Sequence, residues 1–304
     1  MGTACFAGLT ALAQQAYVRI TMPSDAIGFA QRFETLRLKR GPFCLGLDPT
    51  PELLAAWGFK DDIWGLRGFC NRVIDASAQH VSVIKPQSAY FERFGAAGLE
   101  VLADIIGSIH ALGSLALLDV KRGDFGPTNQ AYASALLGPD SAMNADAITV
   151  HAYLGFGALA PFLERIEQSG CGLFVVVRSS NPEADAIQNA EVSPGVSVAQ
   201  HLCAEITRHN AEHSPTGVGA VGAVVGLTAN GAADIAACLP RSLILAPGLG
   251  AQGGTFAQAK ERFAAAATRV IPSSSRGLLA NGPDLHKLQA SIRDHCQRAA
   301  EALA

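Results

Sequence analysis

Short apolar runs alternate along the chain with longer stretches whose apolar residues recur at helical spacing. The short runs are almost continuously apolar, which is typical of strands buried on both faces of a parallel sheet. Eight runs have this character: Phe43–Asp48, Val81–Lys85, Leu115–Val120, Ala147–His151, Leu173–Arg178, Val221–Gly226, Ser242–Pro247 and Arg269–Pro272.

The stretches between these runs are rich in Ala and Leu and predict helices. They cover residues 62–79, 97–112, 128–137, 155–168, 196–212, 230–238, 255–267 and 284–302. Eight strand–helix units predict an α/β fold, a closed (β/α)8 TIM barrel. An open doubly wound sheet is the alternative, because short strands are easily miscounted. The polar stretch 179–195 is long for a connection and indicates a lid over an active site.

The length of 304 residues suits a single barrel domain, which we expect over residues 22–304. Met22 is a second candidate start, so residues 1–21 are interpreted as an N-terminal extension that need not be native. Hydrophobic residues make up 49% of the chain and charged residues 16%, which excludes a disordered protein.

The net charge and the cysteine content indicate which partners and which cellular compartment to expect. The net charge is −3 with no basic stripe, so we expect no nucleic-acid partner. No apolar run approaches the ~20 residues of a membrane span, and the N-terminus carries no early positive charge. Seven scattered cysteines indicate buried thiols in a reducing compartment, so we expect a cytoplasmic protein.

Charged residues cluster where the predicted strands end, which is where barrel enzymes carry their reactive groups. Asp48 ends the first strand, Lys85 the second and His151 the fourth, and the third runs into Asp119 and Lys121. Asp119 and Lys121 are two residues apart, so both should project to one face of the strand. Any one of these charges could belong to a structural ion pair, but several on adjacent strand ends favour a reaction site.

A phosphate site is predicted from the last two loops. The loop after strand seven is glycine-rich from Pro247 to Gly254, and the loop after strand eight supplies Arg276 beside Gly277. Barrels often bind phosphate with these two loops, where glycines let backbone N–H groups approach and Arg adds a bidentate contact. A glycine-rich loop alone would be explained equally well by a tight turn.

The segment Leu117–Thr128 (LLDVKRGDFGPT) resembles the D-x-K-x-x-D signature of the orotidine 5'-phosphate decarboxylase family. Matching motifs occur in order on six strand ends, and the resemblance covers residues 27–290, closest to the longer bacterial subgroup. Five further segments carry it: Gly46–Glu52, Val83–Gly95, Arg178–Glu183, Leu245–Gly254 and Ser273–Gly277. His151, Gly157 and Glu183 depart from the residues usual in that subgroup.

The resemblance implies a homodimer with shared active sites that converts orotidine monophosphate to UMP without cofactor or metal. The residue roles that it implies are these: Lys121 as proton donor to C6, Asp119 against the substrate carboxylate, Lys85 and Asp48 at the ribose, Asp124 acting in the partner's site with Thr128 nearby, Ser180 at the pyrimidine, and Pro247, Gln252 and Arg276 in the phosphate site.

Three other functions would use parts of the same pattern of residues. A Mg²⁺-dependent keto-sugar phosphate decarboxylase of the same superfamily would share the signature, but it should carry a carboxylate where Lys85 stands. A Schiff-base aldolase is disfavoured because flanking carboxylates keep a lysine charged. A barrel that only binds nucleotide would not need the charge array.

His209 and His213 are four residues apart on a predicted helix, which is metal-ligand spacing. No third ligand is evident from the sequence, so a solvated helix face is the favoured interpretation.

Overall fold

The computed structural model describes residues 27–77, 79–251 and 253–303. Its centre is a closed barrel of eight parallel strands, in which the first strand pairs with both the second and the eighth. The predicted TIM barrel is thus confirmed, and the open sheet is excluded by the pairing of Cys44 with Ser273. The strands are Cys44–Leu47, Val83–Pro86, Leu115–Arg122, Ala147–His151, Gly172–Arg178, Val221–Val225, Ile244–Pro247 and Val270–Ser274.

Helices surround the barrel and follow its strands. The α-helices are Phe29–Arg40, Pro51–Ala56, Ile63–Ser77, Ala89–Glu92, Gly95–Ala111, Gly126–Leu136, Ala160–Ser169, Asp185–Gln188, Val198–His213, Ala232–Ala237, Phe256–Arg262, Arg276–Leu279 and Leu285–Ala302. Short 3-10 helices cover Phe156–Leu159, Pro182–Ala184 and Ala264–Arg269. Two predicted helices, 155–168 and 255–267, are therefore each divided into a 3-10 segment and an α-helix.

The helix Phe29–Arg40 precedes the first strand and was missed by the periodicity analysis. It buries only Phe29 and Phe33, so it offers little of the apolar stripe that predicts a helix. Both rings enter the core cluster inside the barrel, and Phe29 packs edge-to-face on Phe174 with ring centroids 5.7 Å apart. The helix therefore closes the end of the barrel that faces away from the strand carboxyl ends.

Inward-facing positions change from apolar to polar along the strands. On the third strand, Leu115 and Leu117 face the barrel core and Asp119 follows two residues later. On the second strand, Val83 precedes Lys85 in the same way. Since alternate residues of a strand share a face, the barrel has an apolar lower interior and a charged upper layer.

The predicted lid contains more secondary structure than its sequence indicated. After the fifth strand the chain forms a 3-10 turn, one short helix and a hairpin in which Glu191–Ser193 pairs with Val196–Ser197. The segment leads directly into the helix Val198–His213, which begins with a capping box between Ser197 and Gln200. None of the helices described is both long and apolar enough to cross a membrane.

Two glycines of the helix Gly95–Ala111 should respond oppositely to alanine. A Cβ at Gly98 would lie 1.9 Å from the carbonyl oxygen of Phe91, whereas a Cβ at exposed Gly107 meets nothing within 4 Å. We expect Gly107→Ala to stabilise the protein by up to ~1 kcal/mol, because glycine carries an entropic cost in a helix. Gly98→Ala should destabilise it by about 1–3 kcal/mol through overpacking. Urea unfolding of the two variants measures both effects, and equal shifts would contradict the packing described.

Candidate active site

The carboxylate of Asp119 lies between two ammonium groups in the barrel mouth. Lys85 Nζ donates to Asp119 Oδ2 at 2.7 Å, and Lys121 Nζ donates to Oδ1 at 2.6 Å. The side chains of Lys85 and Asp119 are 9% and 8% exposed, whereas that of Lys121 is 48% exposed. Lys85 and Asp119 therefore form a buried ion pair, and the Lys121 ammonium is the group of this array that solvent or a bound molecule can reach.

The two lysines determine the charge of the buried carboxyl. Burial alone would raise the pKa of Asp119, but the ammonium groups of Lys85 and Lys121 hold it well below its usual range. Burial alone would lower the pKa of Lys85, but the carboxylates of Asp119 and Asp48 raise it above its usual range. Ionised Asp119 therefore contributes to the free energy of unfolding at neutral pH, and this contribution is lost only as pH falls below about 4. The contribution of charged Lys85 is lost only as pH rises above about 10. Both groups stay charged at neutral pH.

Thr149, on the fourth strand, holds this array in place and was not predicted from the sequence. Its hydroxyl donates to Asp119 Oδ1 at 2.7 Å and accepts from the backbone N–H of Lys121 at 3.0 Å. Gln87 lies on the other side, with its side-chain amide 3.0 Å from Asp119 Oδ2; the amide orientation that satisfies both groups has its nitrogen donating to this carboxylate. Only its position in the sequence could have indicated it. Thr149 lies two residues before His151 on the fourth strand, so both share one face of that strand.

Lys121 contacts Asp119 as predicted, but the geometric reason is different. The strand register is irregular between Leu118 and Arg122, and Lys121 has a φ of 43°. A positive φ is uncommon for a residue with a side chain and is found where surrounding contacts enforce it. The simple two-residue alternation is thus broken at Lys121, and the bond from its N–H to Thr149 fixes the new direction.

Asp48 follows the first strand, beside the strand of Lys85, and Arg276 follows the eighth strand on its other side, with Tyr90 near both. Burial and the Asp48 carboxylate raise the pKa of Tyr90, and Arg276 acts against them. Asp48 Oδ1 is buried and accepts no hydrogen bond from any residue described. A cavity of about 690 Å³ adjoins this group, lined by Thr50, Pro51, Glu52, Leu53, Ala56, Tyr90 and Arg276. Tyr90 was not predicted as a site residue, because the prediction relied on charged residues at strand ends and the phenol of Tyr90 is uncharged.

The loop after strand seven contacts the end of strand eight. Leu249 N–H donates to the Ser273 carbonyl at 3.3 Å, and Gly254 N–H turns back to the Gly248 carbonyl at 3.0 Å. Gly248 and Gly250 have φ values of 124° and 75°, which glycine adopts readily. Pro247 is half-buried at the strand end, Arg276 is exposed at the start of the next helix, and Gln252 lies outside the described residues.

The remaining predicted residues lie at the rim. Asp124 is partly exposed, and its Oδ1 accepts from Phe125 N–H at 2.8 Å. Thr128 is exposed on the helix Gly126–Leu136. Among the ion pairs of the described residues, none joins Asp124 to Lys121 of the same chain. The structure thus does not bring Asp124 into the array of its own chain.

The base of the lid is anchored by a buried arginine that the sequence analysis did not single out. Arg178 is 2% exposed, donates from Nε to the Asn230 carbonyl at 3.0 Å, and from Nη2 to Asp185 Oδ1 at 2.6 Å. Ser180 follows close to Gly226, where a Cβ would lie 3.1 Å from the Ser180 nitrogen. Ser180 is therefore positioned beside the end of the sixth strand.

Comparisons with known proteins assign this barrel to a family. The model of the Orotidine 5'-phosphate decarboxylase / HUMPS family matches residues 41–290. The chain belongs to this family. The orotidine 5'-phosphate decarboxylase of Salinispora arenicola is 47% identical to it, over 86% of this chain and 94% of the Salinispora chain. That of Myxococcus xanthus is 44% identical, over 88% of this chain and 93% of the Myxococcus chain. A crystal structure from Streptomyces avermitilis with the same description has a TM-score of 0.86 and 40% identity, over 95% of this chain and 99% of its own.

Removing the Thr149 hydroxyl should loosen the array of this decarboxylase-family barrel. Thr149→Val leaves the Lys121 N–H without its acceptor, and we expect a loss of about 1–3 kcal/mol in the free energy of unfolding. Thr149→Ser keeps the hydroxyl and should retain most of that stability. Urea unfolding at pH 7 measures both variants, and a Val variant as stable as the Ser variant would show that the hydroxyl bonds contribute little.

Proposed function

We propose that this protein decarboxylates orotidine 5'-monophosphate to UMP, the last step of de novo pyrimidine nucleotide synthesis. Family membership supports this reaction. The observation that carries it for this chain is the Lys85–Asp119–Lys121 array, with its single accessible ammonium. The chemistry that we propose uses no cofactor, because fixed charges of the protein take the part of an electron sink.

Loss of CO2 from C6 leaves an electron pair on a carbon that has no neighbouring carbonyl placed to delocalise it. The Lys121 ammonium would stabilise that negative charge and then transfer a proton from Nζ to C6, leaving a neutral amine that regains its proton from solvent. Lys121 is half-exposed and therefore accessible to a bound substrate. Asp119 would stand against the substrate carboxylate, with Lys85 holding it ionised.

Binding of the rest of the nucleotide would use the neighbouring part of the mouth, at the ends of the first, seventh and eighth strands. The unsatisfied Oδ1 of Asp48 is a ready acceptor for a ribose hydroxyl, close to Lys85. Arg276 would contact the phosphate together with Gln252 and the backbone that follows Pro247. Ser180 would contact the pyrimidine from the base of the lid. Energy from the phosphate contacts could then hold the lid closed during reaction.

The alternative reaction is Mg²⁺-dependent decarboxylation of a keto-sugar phosphate. Magnesium prefers oxygen ligands, and a metal-using site should have a carboxylate at the end of strand two. Lys85 occupies that place, and its Nζ lies 2.7 Å from Asp119 Oδ2, so an ammonium group already holds the side of this carboxylate where a metal would bind. The buried ammonium therefore disfavours this reaction.

Turnover of orotidine monophosphate by the purified protein tests the proposal. The loss of substrate absorbance in the ultraviolet should follow enzyme concentration and should persist after exhaustive EDTA treatment. A Lys121→Ala variant that retains the wild-type unfolding midpoint serves as the control and should be inactive. Activity that EDTA abolishes and Mg²⁺ restores would instead support the keto-sugar phosphate reading.

We infer that the enzyme works as a homodimer in which Asp124 completes the partner's active site. Asp124 does not pair with Lys121 of its own chain, and it lies on the rim next to Phe125, which is 65% exposed. Tyr153 and Leu154, after the adjacent strand, are 75% and 53% exposed. Exposed apolar side chains on neighbouring loops are the kind of surface that a subunit interface covers. A cytoplasmic location remains a prediction.

Mixing two inactive variants tests the shared site. Lys121→Ala and Asp124→Ala should each be nearly inactive alone. After subunit exchange, about half the dimers are heterodimers, and one of their two sites lacks both substitutions, so roughly a quarter of wild-type activity should return. Exchange is verified independently, for example with mass-labelled subunits. A fully exchanged mixture that stays inactive would place Asp124 in its own chain's site.

A further inference from the structure

Three side chains with metal-binding atoms meet on the outside of the barrel. His209 and His213 lie in the last turn of the helix Val198–His213, and Glu167 lies near the end of the neighbouring helix Ala160–Ser169. Glu167 supplies the third group that the sequence did not reveal, because it lies 42 positions before His209 and on a different helix. The donor atoms of all three lie within 4.8 Å of one another.

The separations suit a transition metal. Glu167 Oε1 lies 3.3 Å from His213 Nε2 and 3.7 Å from His209 Nε2. With donors about 2.1 Å from an ion, these separations correspond to angles of about 104° and 124°, both compatible with tetrahedral coordination. The donor nitrogens of the two imidazoles lie within 4.8 Å of each other, and tetrahedral binding to one ion would place them about 3.4 Å apart. His213 is the last residue of its helix and 45% exposed, so it can make this adjustment.

The imidazole rings are arranged for binding through Nε2. His213 Nδ1 lies 2.9 Å from the carbonyl oxygen of His209, which accepts only from a protonated nitrogen. The proton is thus directed to Nδ1, leaving the Nε2 lone pair toward Glu167, and a carbonyl partner of this kind is the usual support of a metal-bound histidine. The two rings stack with centroids 4.2 Å apart and an interplanar angle of 25°, and the Nε2 atoms of both lie toward Glu167 Oε1.

We propose that Glu167, His209 and His213 form a surface site for Zn²⁺ or a similar divalent transition metal. The three protein ligands leave a fourth position open to solvent, since Glu167 and His213 are 41% and 45% exposed. Both helices run back from the mouth, so their last turns lie at the end of the barrel opposite the proposed active site. A bound ion would tie together the helices that follow the fourth and fifth strands, and decarboxylation would not depend on it.

The experiment uses the tag-free full chain after EDTA treatment and removal of the chelator. Zn²⁺ is titrated by calorimetry, Co²⁺ by visible absorption, and thermal unfolding is measured with and without Zn²⁺. The variants are Glu167→Gln and His213→Ala. His201→Ala is the matched control, because His201 is an exposed histidine of the same helix outside the cluster. Buried His209 is left intact so that all variants keep the packing of the native helix.

The wild-type protein and His201→Ala should bind one Zn²⁺ per chain, give the absorption of four- or five-coordinate Co²⁺, and gain at least about 2 °C in Tm with saturating Zn²⁺. Glu167→Gln and His213→Ala should lose at least about tenfold in affinity and most of the gain, with unchanged metal-free Tm and activity. The proposal fails if the wild type binds no Zn²⁺ at micromolar concentration, or if both cluster variants bind it as the wild type does. The contacts would then be ion pairs of Glu167 with protonated histidine.

Discussion

The site depends on one buried carboxylate that must stay ionised. Asp119 is 8% exposed, and an isolated charge at that depth would be costly unless paired and hydrogen-bonded. Lys85 from the second strand and Lys121 from the third satisfy it, and Thr149 from the fourth adds a hydroxyl. Three neighbouring strands must therefore keep their register, since any slip by one residue would turn one of these groups out of the barrel. Ion pairing and barrel geometry constrain each other here.

The barrel and the charged part of its site could be predicted from sequence because both leave strong signals. Eight apolar runs specify strands buried on both faces, and charges such as Lys85 and Asp119 stand out at their ends. Thr149 and Tyr90 were missed because an uncharged side chain at a strand end or on a short helix does not differ from many others. The helix Phe29–Arg40 was missed because only two of its residues, Phe29 and Phe33, are buried. Roles that need a bound nucleotide, such as those of Ser180 and Gln252, stay predictions.

The contrast between Lys85 and Lys121 follows from backbone shape. Lys85 lies on a regular strand and is almost completely buried, whereas Lys121 lies where the third strand adopts a φ of 43° and its side chain is half-exposed. Residues of the same type, contacting the same carboxylate, are thereby given different surroundings. The buried lysine suits a fixed charge, and the accessible one suits a group that gives up a proton and recovers it.

The helix Phe29–Arg40, which closes the lower end of the barrel, determines how substrate and products can enter and leave. Phe29 and Phe33 are 1% and 0% exposed and sit on a layer of apolar side chains below the charged residues, so within the described residues the barrel axis is closed at this end. The pocket is blind-ended. In the proposed reaction, CO2 formed next to Asp119 would then leave by the opening through which the nucleotide entered. The rim loops and the segment 179–195 would then govern whether the smaller product leaves before the larger one or after it.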